Sequence, residues 1–113
     1  MIKHLENEKD FEAITKLDKN VVVDFYADWC GPCKILGRNF ETLENVYPSI
    51  TILKVNVDDF PSIASQFFVT SIPYLVCYKD GQRIDFIVNG RKQSDILGSL
   101  DEETLSNVLK NTF

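Results

Sequence analysis

Long apolar runs are missing from this sequence. No stretch approaches the roughly 20 apolar residues that a membrane-spanning helix needs, so no membrane association is expected. The first residues, Met1-Ile2-Lys3-His4-Leu5-Glu6-Asn7-Glu8-Lys9-Asp10, lack the uninterrupted apolar core of a signal peptide. The expected compartment is therefore cytoplasmic, or an organelle lumen if a presequence has been removed. Cysteine is scarce, and three residues do not make a disulfide framework. A basic surplus is absent too. The net charge of −5 argues against a nucleic-acid surface and against an anionic-membrane binder. No repeat, linker or low-complexity segment divides the chain, so one domain over residues 1–113 is expected. With 44% hydrophobic and 26% charged residues, it can bury a core without disulfide staples.

What is present is one dense stretch, Asp28-Trp29-Cys30-Gly31-Pro32-Cys33-Lys34. It follows the apolar run Val21 to Ala27, which reads as a strand, and precedes a segment with helical spacing from Ile35 to Tyr47. A strand thus delivers two thiols to the start of a helix. Cys30 and Cys33 lie about one turn apart, within bonding reach. The first helical turn has N–H groups without partners and a positive dipole end, so a thiolate at Cys30 is stabilised and its pKa lowered. Cys33, a turn further in, is expected to be more buried and less acidic. Pro32 suits the first helical turn, and Gly31 allows close approach of a partner. The pair reads as a dithiol that attacks disulfides, with Cys30 the nucleophile and Cys33 the resolving thiol.

The segment Asp24-Phe25-Tyr26-Ala27-Asp28-Trp29-Cys30-Gly31-Pro32-Cys33-Lys34 resembles the active-site signature of the thioredoxin family. The resemblance runs over nearly the whole chain. It implies an α/β thioredoxin fold, a central mixed β-sheet flanked by helices on both faces. It also implies reduction of protein disulfides, with electrons supplied by a thioredoxin reductase and no bound cofactor. Disulfide-containing proteins are the implied clients, and a monomer is expected. Two departures stand out near the motif. The family's proline a few residues after the second cysteine is replaced by Gly37-Arg38, and the residue after Pro73 is Tyr74 where Thr is common.

The rest of the chain reads in order. Ile2 to Leu5 suggests a short edge strand, and Asn7 an N-cap for a helix with Phe11, Ile14 and Leu17 on its apolar face. The run at Val21 shows no alternation, as expected of a strand covered on both faces. Asp24 interrupts it, and burial there raises a carboxyl pKa toward neutrality. In the family the matching Asp assists deprotonation of the second cysteine, and Lys54 matches the lysine near it. Ile50 to Asp58 forms the next strand, completing a βαβ unit. Asp59-Phe60-Pro61 opens a short helix. The resemblance makes Ile72-Pro73 a cis bond facing the cysteines.

Cys77 reads as a small buried hydrophobe. No metal site is expected, because Cys30, Cys33, Cys77 and His4 fit no known ligand spacing. Asp80-Gly81 marks a hairpin turn, followed by a strand from Arg83 to Val88. The segment 89–95 exceeds the family length and reads as an exposed loop or bulge. Either Gly90 or Gly98 closes the last strand. Gly98 is preferred, because Asp101-Glu102-Glu103 resembles an N-cap with an acidic first turn. Trp29, Gly31, Pro32, Ile72, Pro73, Leu97 and Gly98 then form a shallow apolar surface around Cys30. The alternatives are a disulfide oxidase or isomerase, and a non-redox adaptor. Gly31-Pro32 disfavours the former, whose members usually carry a His between the cysteines.

Overall fold

Residues Asn20–Tyr26 form the central strand, β2, of a mixed sheet. The structure is a computed structural model that describes residues 1–113. Around β2 lie β1 (Ile2–His4), β3 (Ile50–Asn56), β4 (Tyr74–Lys79), β5 (Gln82–Ile84) and β8 (Ile96–Leu97). The order is β1-β3-β2-β4-β5, with β8 also on β4. β1 and β2 run parallel to β3, whereas β4 is antiparallel to β2.

Helices cover both faces. On one face, α2 (Gly31–Leu43) and α4 (Glu102–Thr112) pack Leu36, Phe40, Leu105 and Val108 against Val22, Ile52 and Leu75. On the other, α1 (Glu8–Leu17) and α3 (Pro61–Gln66) cover Val21, Val23, Phe25 and Val55 with Phe11, Ile14 and Ile63. Val21 through Phe25 are all fully buried, Asp24 included, which explains why the run shows no polar–apolar alternation.

Several boundaries differ from expectation. Leu17 is 83% exposed rather than on the apolar face of α1, where Thr15 is buried and bonds Phe11 O. Its position closes the helix, one residue before the C-cap Asp18. The Asn7 side chain makes no capping bond. α2 ends at Leu43, and Tyr47 lies in the following turn with its hydroxyl on Ser106.

The largest difference lies after β5. The expected strand from Arg83 to Val88 breaks at Asp85, and segment 89–95 is not a loop. β6 (Phe86–Val88) and β7 (Arg91–Gln93) form a separate two-stranded sheet. Asn89 and Gly90 turn it with φ of 51° and 77°, as a two-residue hairpin of the Asn-Gly kind requires. That dipeptide was the legible signal. Phe86 is buried in the core, and Ile87 N–H donates to Thr112 Oγ1 at 2.9 Å, fastening the hairpin to α4. The chain then returns as β8 beside β4. One edge strand is thus split, with a hairpin spliced between its halves.

A Cβ on Gly90 would meet nothing within 4 Å, so the cost of G90A comes from its positive φ alone. Gly90→Ala is expected to cost about 1 kcal/mol, read as a lowered midpoint in thermal unfolding.

Candidate active site

α2 begins where sequence spacing put it. Its N-cap is Cys30, whose Sγ accepts the Cys33 backbone N–H at 3.2 Å. Pro32 stands in the first turn, where its missing N–H leaves no bond unmade. Cys30 and Cys33 are joined as a disulfide, with Cα atoms 5.3 Å apart. Both are nearly buried, 5% and 2% exposed, so the difference between them is small. Ala27 completes their packing cluster, with Val57 and Ile72 against it.

Beneath α2 the sheet places a charge where the core is apolar. Asp24 shares the face of Val22, two residues away on the same strand, and that face is the one α2 covers. Asp24 is 0% exposed, and neither carboxylate oxygen has a hydrogen-bond partner. Burial pushes its pKa up to about 7, partly opposed by the positive charge of Lys54. Lys54 sits directly opposite Asp24 in the β2–β3 register. Its ammonium lies 4.4 Å from the centre of the Tyr26 ring.

Gly37, at one departure from the family pattern, lies close to Lys54. A Cβ there would come within 3.2 Å of Lys54 Nζ, so the missing side chain leaves room for the ammonium under α2. An open cleft of about 420 Å³ leads from solvent to Cys33 and Lys54, with His4 and Lys34 also along its walls.

The expected apolar surface forms only in part. Trp29 is 71% exposed, and its indole N–H donates to Asp58 Oδ2 at 2.9 Å. Gly31 and Pro32 are exposed, and Ile72 is half-buried with its carbonyl oxygen 3.9 Å from Cys30 Sγ. The Ile72-Pro73 bond is cis. Pro73 itself is buried rather than presented to solvent. Leu97 is 63% exposed, and Gly98, with φ of 92°, donates its N–H to Pro73 O at 2.8 Å. Gly98 thus closes the last strand beside Pro73.

Three residues near the motif escaped the sequence reading. Asp58 orients Trp29, Tyr26 lies under Lys54, and Asp95 accepts the Tyr74 hydroxyl at 2.7 Å. No local pattern marks Asp58 or Asp95, because each meets its partner only through the sheet. Tyr74 both fills core near Phe25 and ties β4 to the returning chain. Cys77 is fully buried. Its pKa is pushed up to about 12 by that burial, leaving an inert thiol.

Comparison with known proteins gives concordant matches. The protein-family model described as Thioredoxin matches residues 2–107. Thioredoxin-1 of Schizosaccharomyces pombe is 42% identical over 88 residues, covering 78% of this chain and 85% of that one. The thioredoxin of Chlamydia caviae is 49% identical over 77 residues, covering 68% and 74% respectively. The solution structure of oxidised thioredoxin from Plasmodium falciparum is similar over 100% of both chains, with a TM-score of 0.80 at 27% identity.

Proposed function

This chain belongs to the thioredoxin family and is a protein-disulfide reductase, and we propose that Cys30 attacks the client and Cys33 resolves it. The observation that carries this division is the N-cap position of Cys30. Its sulfur already accepts the Cys33 N–H, so a thiolate there meets a backbone donor and the helix dipole. In the reduced protein, Cys30 thiolate attacks one sulfur of a client disulfide. A mixed disulfide forms and the first client thiolate leaves. Cys33 then gives up its proton and attacks Cys30 Sγ. The Cys30–Cys33 disulfide forms, the second client thiolate leaves, and two electrons have passed to the client.

Asp24 is the proposed acceptor of the Cys33 proton. Its pKa of about 7 lets it take and release a proton at neutral pH. Lys54 keeps that value from rising further, and the cleft beside it supplies a route to water. Trp29, Gly31, Pro32, Ile72, Leu97 and Gly98 are proposed to border the bound client. Pro73, being buried, contributes through its carbonyl bond to Gly98. A thioredoxin reductase is the proposed electron source, and the cytosol the proposed compartment, with residues 1–113 acting as one domain.

The test is the reduction potential of the Cys30–Cys33 pair, by equilibration against glutathione. The expected value is about −270 mV, the figure known for thioredoxin itself rather than one obtained from this structure. A value above about −200 mV would instead indicate a stabilised dithiol and an oxidase.

A further inference from the structure

The two strands of the β6–β7 hairpin are unequal. β6 gives its side chains to the core, where Phe86 is buried and Val88 packs against the same cluster. All three residues of β7 are exposed. Neither Arg91 nor Lys92 meets a carboxylate, since the ion pairs of this chain are Lys3–Asp18 and Lys16–Glu12. Residues 86–94 hold these two positive charges and no negative one. The whole chain carries −5, so the rest of it carries −7. The hairpin is a basic arm on an acidic body. An open cleft of about 380 Å³ runs between the arm and α4, lined by Arg83, Lys92, Ile87 and Thr112, with Asp85 as its one carboxylate.

The arm also has a free edge. In a two-residue hairpin the pairs Val88–Arg91 and Phe86–Gln93 bond across, while Ile87 and Lys92 turn their backbone groups outward. Ile87 N–H accordingly goes to Thr112. The matching groups of Lys92 lie on the opposite, open edge, where an extended segment can add as a strand. A second copy of β7 is a poor occupant, because Arg91 and Lys92 would meet their own kind there.

The arm is fastened close to the cysteines. Leu97 follows Gln93 by at most about 14 Å of extended chain. On the way Asp95 accepts the Tyr74 hydroxyl at 2.7 Å, and Gly98 N–H then donates to Pro73 O at 2.8 Å. Tyr74 directly follows Pro73, and the carbonyl before that proline lies 3.9 Å from Cys30 Sγ. The root of the arm is thus held against the cis-proline turn.

We propose that the β6–β7 hairpin is a recognition arm for protein clients, taking an acidic, extended client segment while the client disulfide lies on Cys30. This rests on the reading that Cys30 receives the client. A reductase must cover Cys30 as well. Selection by charge acts among partners that differ in charge, as clients do, so a client segment is the occupant assigned. Opposite charge across such a contact speeds encounter and suppresses wrong partners.

The experiment compares the parent with R91E/K92E and K16E/K19E. The second pair changes the net charge equally at the far end of the sheet, since Lys19 precedes β2 and the cysteines follow it. Two oxidised peptides are the substrates. Each closes one ring through a cysteine pair and carries a tail of about ten residues, glutamate-rich in one and lysine-rich in the other. Such a tail extends to about 33 Å, beyond the protein's largest dimension of 32 Å. Prereduced protein is mixed with each peptide at low salt. R91E/K92E is expected to lower the rate on the glutamate peptide about fivefold relative to the lysine peptide, and K16E/K19E by less than about twofold. That difference should vanish in about 1 M salt. Rates on the uncharged 2,2′-dithiodipyridine and melting temperatures stay at parent values, so lost rate does not reflect a damaged Cys30 or a lost fold. Equal effects of the two variants overturn the proposal, because net charge alone then accounts for them. An equal loss on 2,2′-dithiodipyridine also overturns it. Loss only when NADPH and a thioredoxin reductase resupply electrons assigns the arm to the reductase, and a concentration-dependent dimer abolished by R91E/K92E assigns it to a second copy. Either overturns the client assignment. A parent that reduces neither the peptides nor 2,2′-dithiodipyridine overturns the reading of Cys30 itself.

Discussion

A C33S variant is expected to stop after one half of the reaction, covalently joined to its client. Cys30 still attacks, but no second thiol is present to displace the client. The adduct should appear as a mass increase under non-reducing conditions and vanish with dithiothreitol. C30S should form no such adduct, because the remaining thiol lies inside the helix and lacks the N-cap environment. Turnover should fall by at least about a hundredfold in either variant, since nucleophile and resolving group act as a unit. The decisive readout is which variant traps the client. An adduct with C30S and none with C33S would reverse the roles assigned here. Cys77 does not confuse the result, because it is fully buried and its thiol is held protonated. A C30S/C33S protein that still performed its role in the cell would point to the adaptor alternative.

Asp24→Asn is expected to yield a more stable and slower protein. In the folded, oxidised chain the carboxyl keeps its proton up to a pH of about 7, against an ordinary value of 3.8. Between those two values the unfolded state binds fewer protons than the folded one, so stability falls as pH rises. The carboxyl's contribution is fully present below 3.8 and lost once pH passes about 7. The loss at pH 8 is about 4 kcal/mol, mostly the cost of a buried carboxylate without hydrogen bonds. An amide of the same shape carries no charge to desolvate. At pH 8 the variant should therefore melt about 15 °C or more above the parent, with the gap closing toward pH 4.

Equal melting curves at both pH values would mean that Asp24 is solvated rather than buried. The lowered pKa of Asp18, held down chiefly by its hydrogen bond from Lys3, acts in a separate window. It contributes above the ordinary value and is lost as pH falls through its folded one. The same substitution removes the proposed proton acceptor. Resolution of the mixed disulfide should slow about tenfold or more near pH 7, and the rate should lose its dependence on a group titrating there. Asp24, the proposed proton acceptor, thus lowers stability at neutral pH and above.

Much of this was legible from local residues. The strand at Val21, the helix beginning at the cysteines, the cap at Asp101 and the turn at Asp80-Gly81 were all readable. They depend on periodicity, missing donors and positive φ, which neighbouring residues decide among themselves. The Asp101 side chain indeed accepts the Thr104 N–H at 2.8 Å. The turn at Asn89-Gly90 is equally local, but whether its flanking residues pair with each other or extend the edge strand is settled by the packing of Phe86 and the bond from Ile87 to Thr112. Leu17 misled for a different reason. Helical spacing assigns a face, but it does not say where the covering sheet stops, and α1 reaches past it.

The chemistry was legible in neighbouring residues. A thiol at a helix start, a second thiol one turn inward and a proline between them place a dithiol within bonding reach, and the full signature from Asp24 to Lys34 points it to disulfide exchange. Tertiary structure decided the surroundings. Strand order sets Asp24 opposite Lys54, leaves both its oxygens unpartnered, and brings the ammonium beside the place a Gly37 side chain would take. It also joins Gly98 to Pro73 and Asp58 to Trp29 across long separations in the chain. A pKa of about 7 at Asp24 exists only because the sheet and helix exclude water from one carboxyl. Desolvation is a property of everything packed around a group, so no short stretch of residues can encode it.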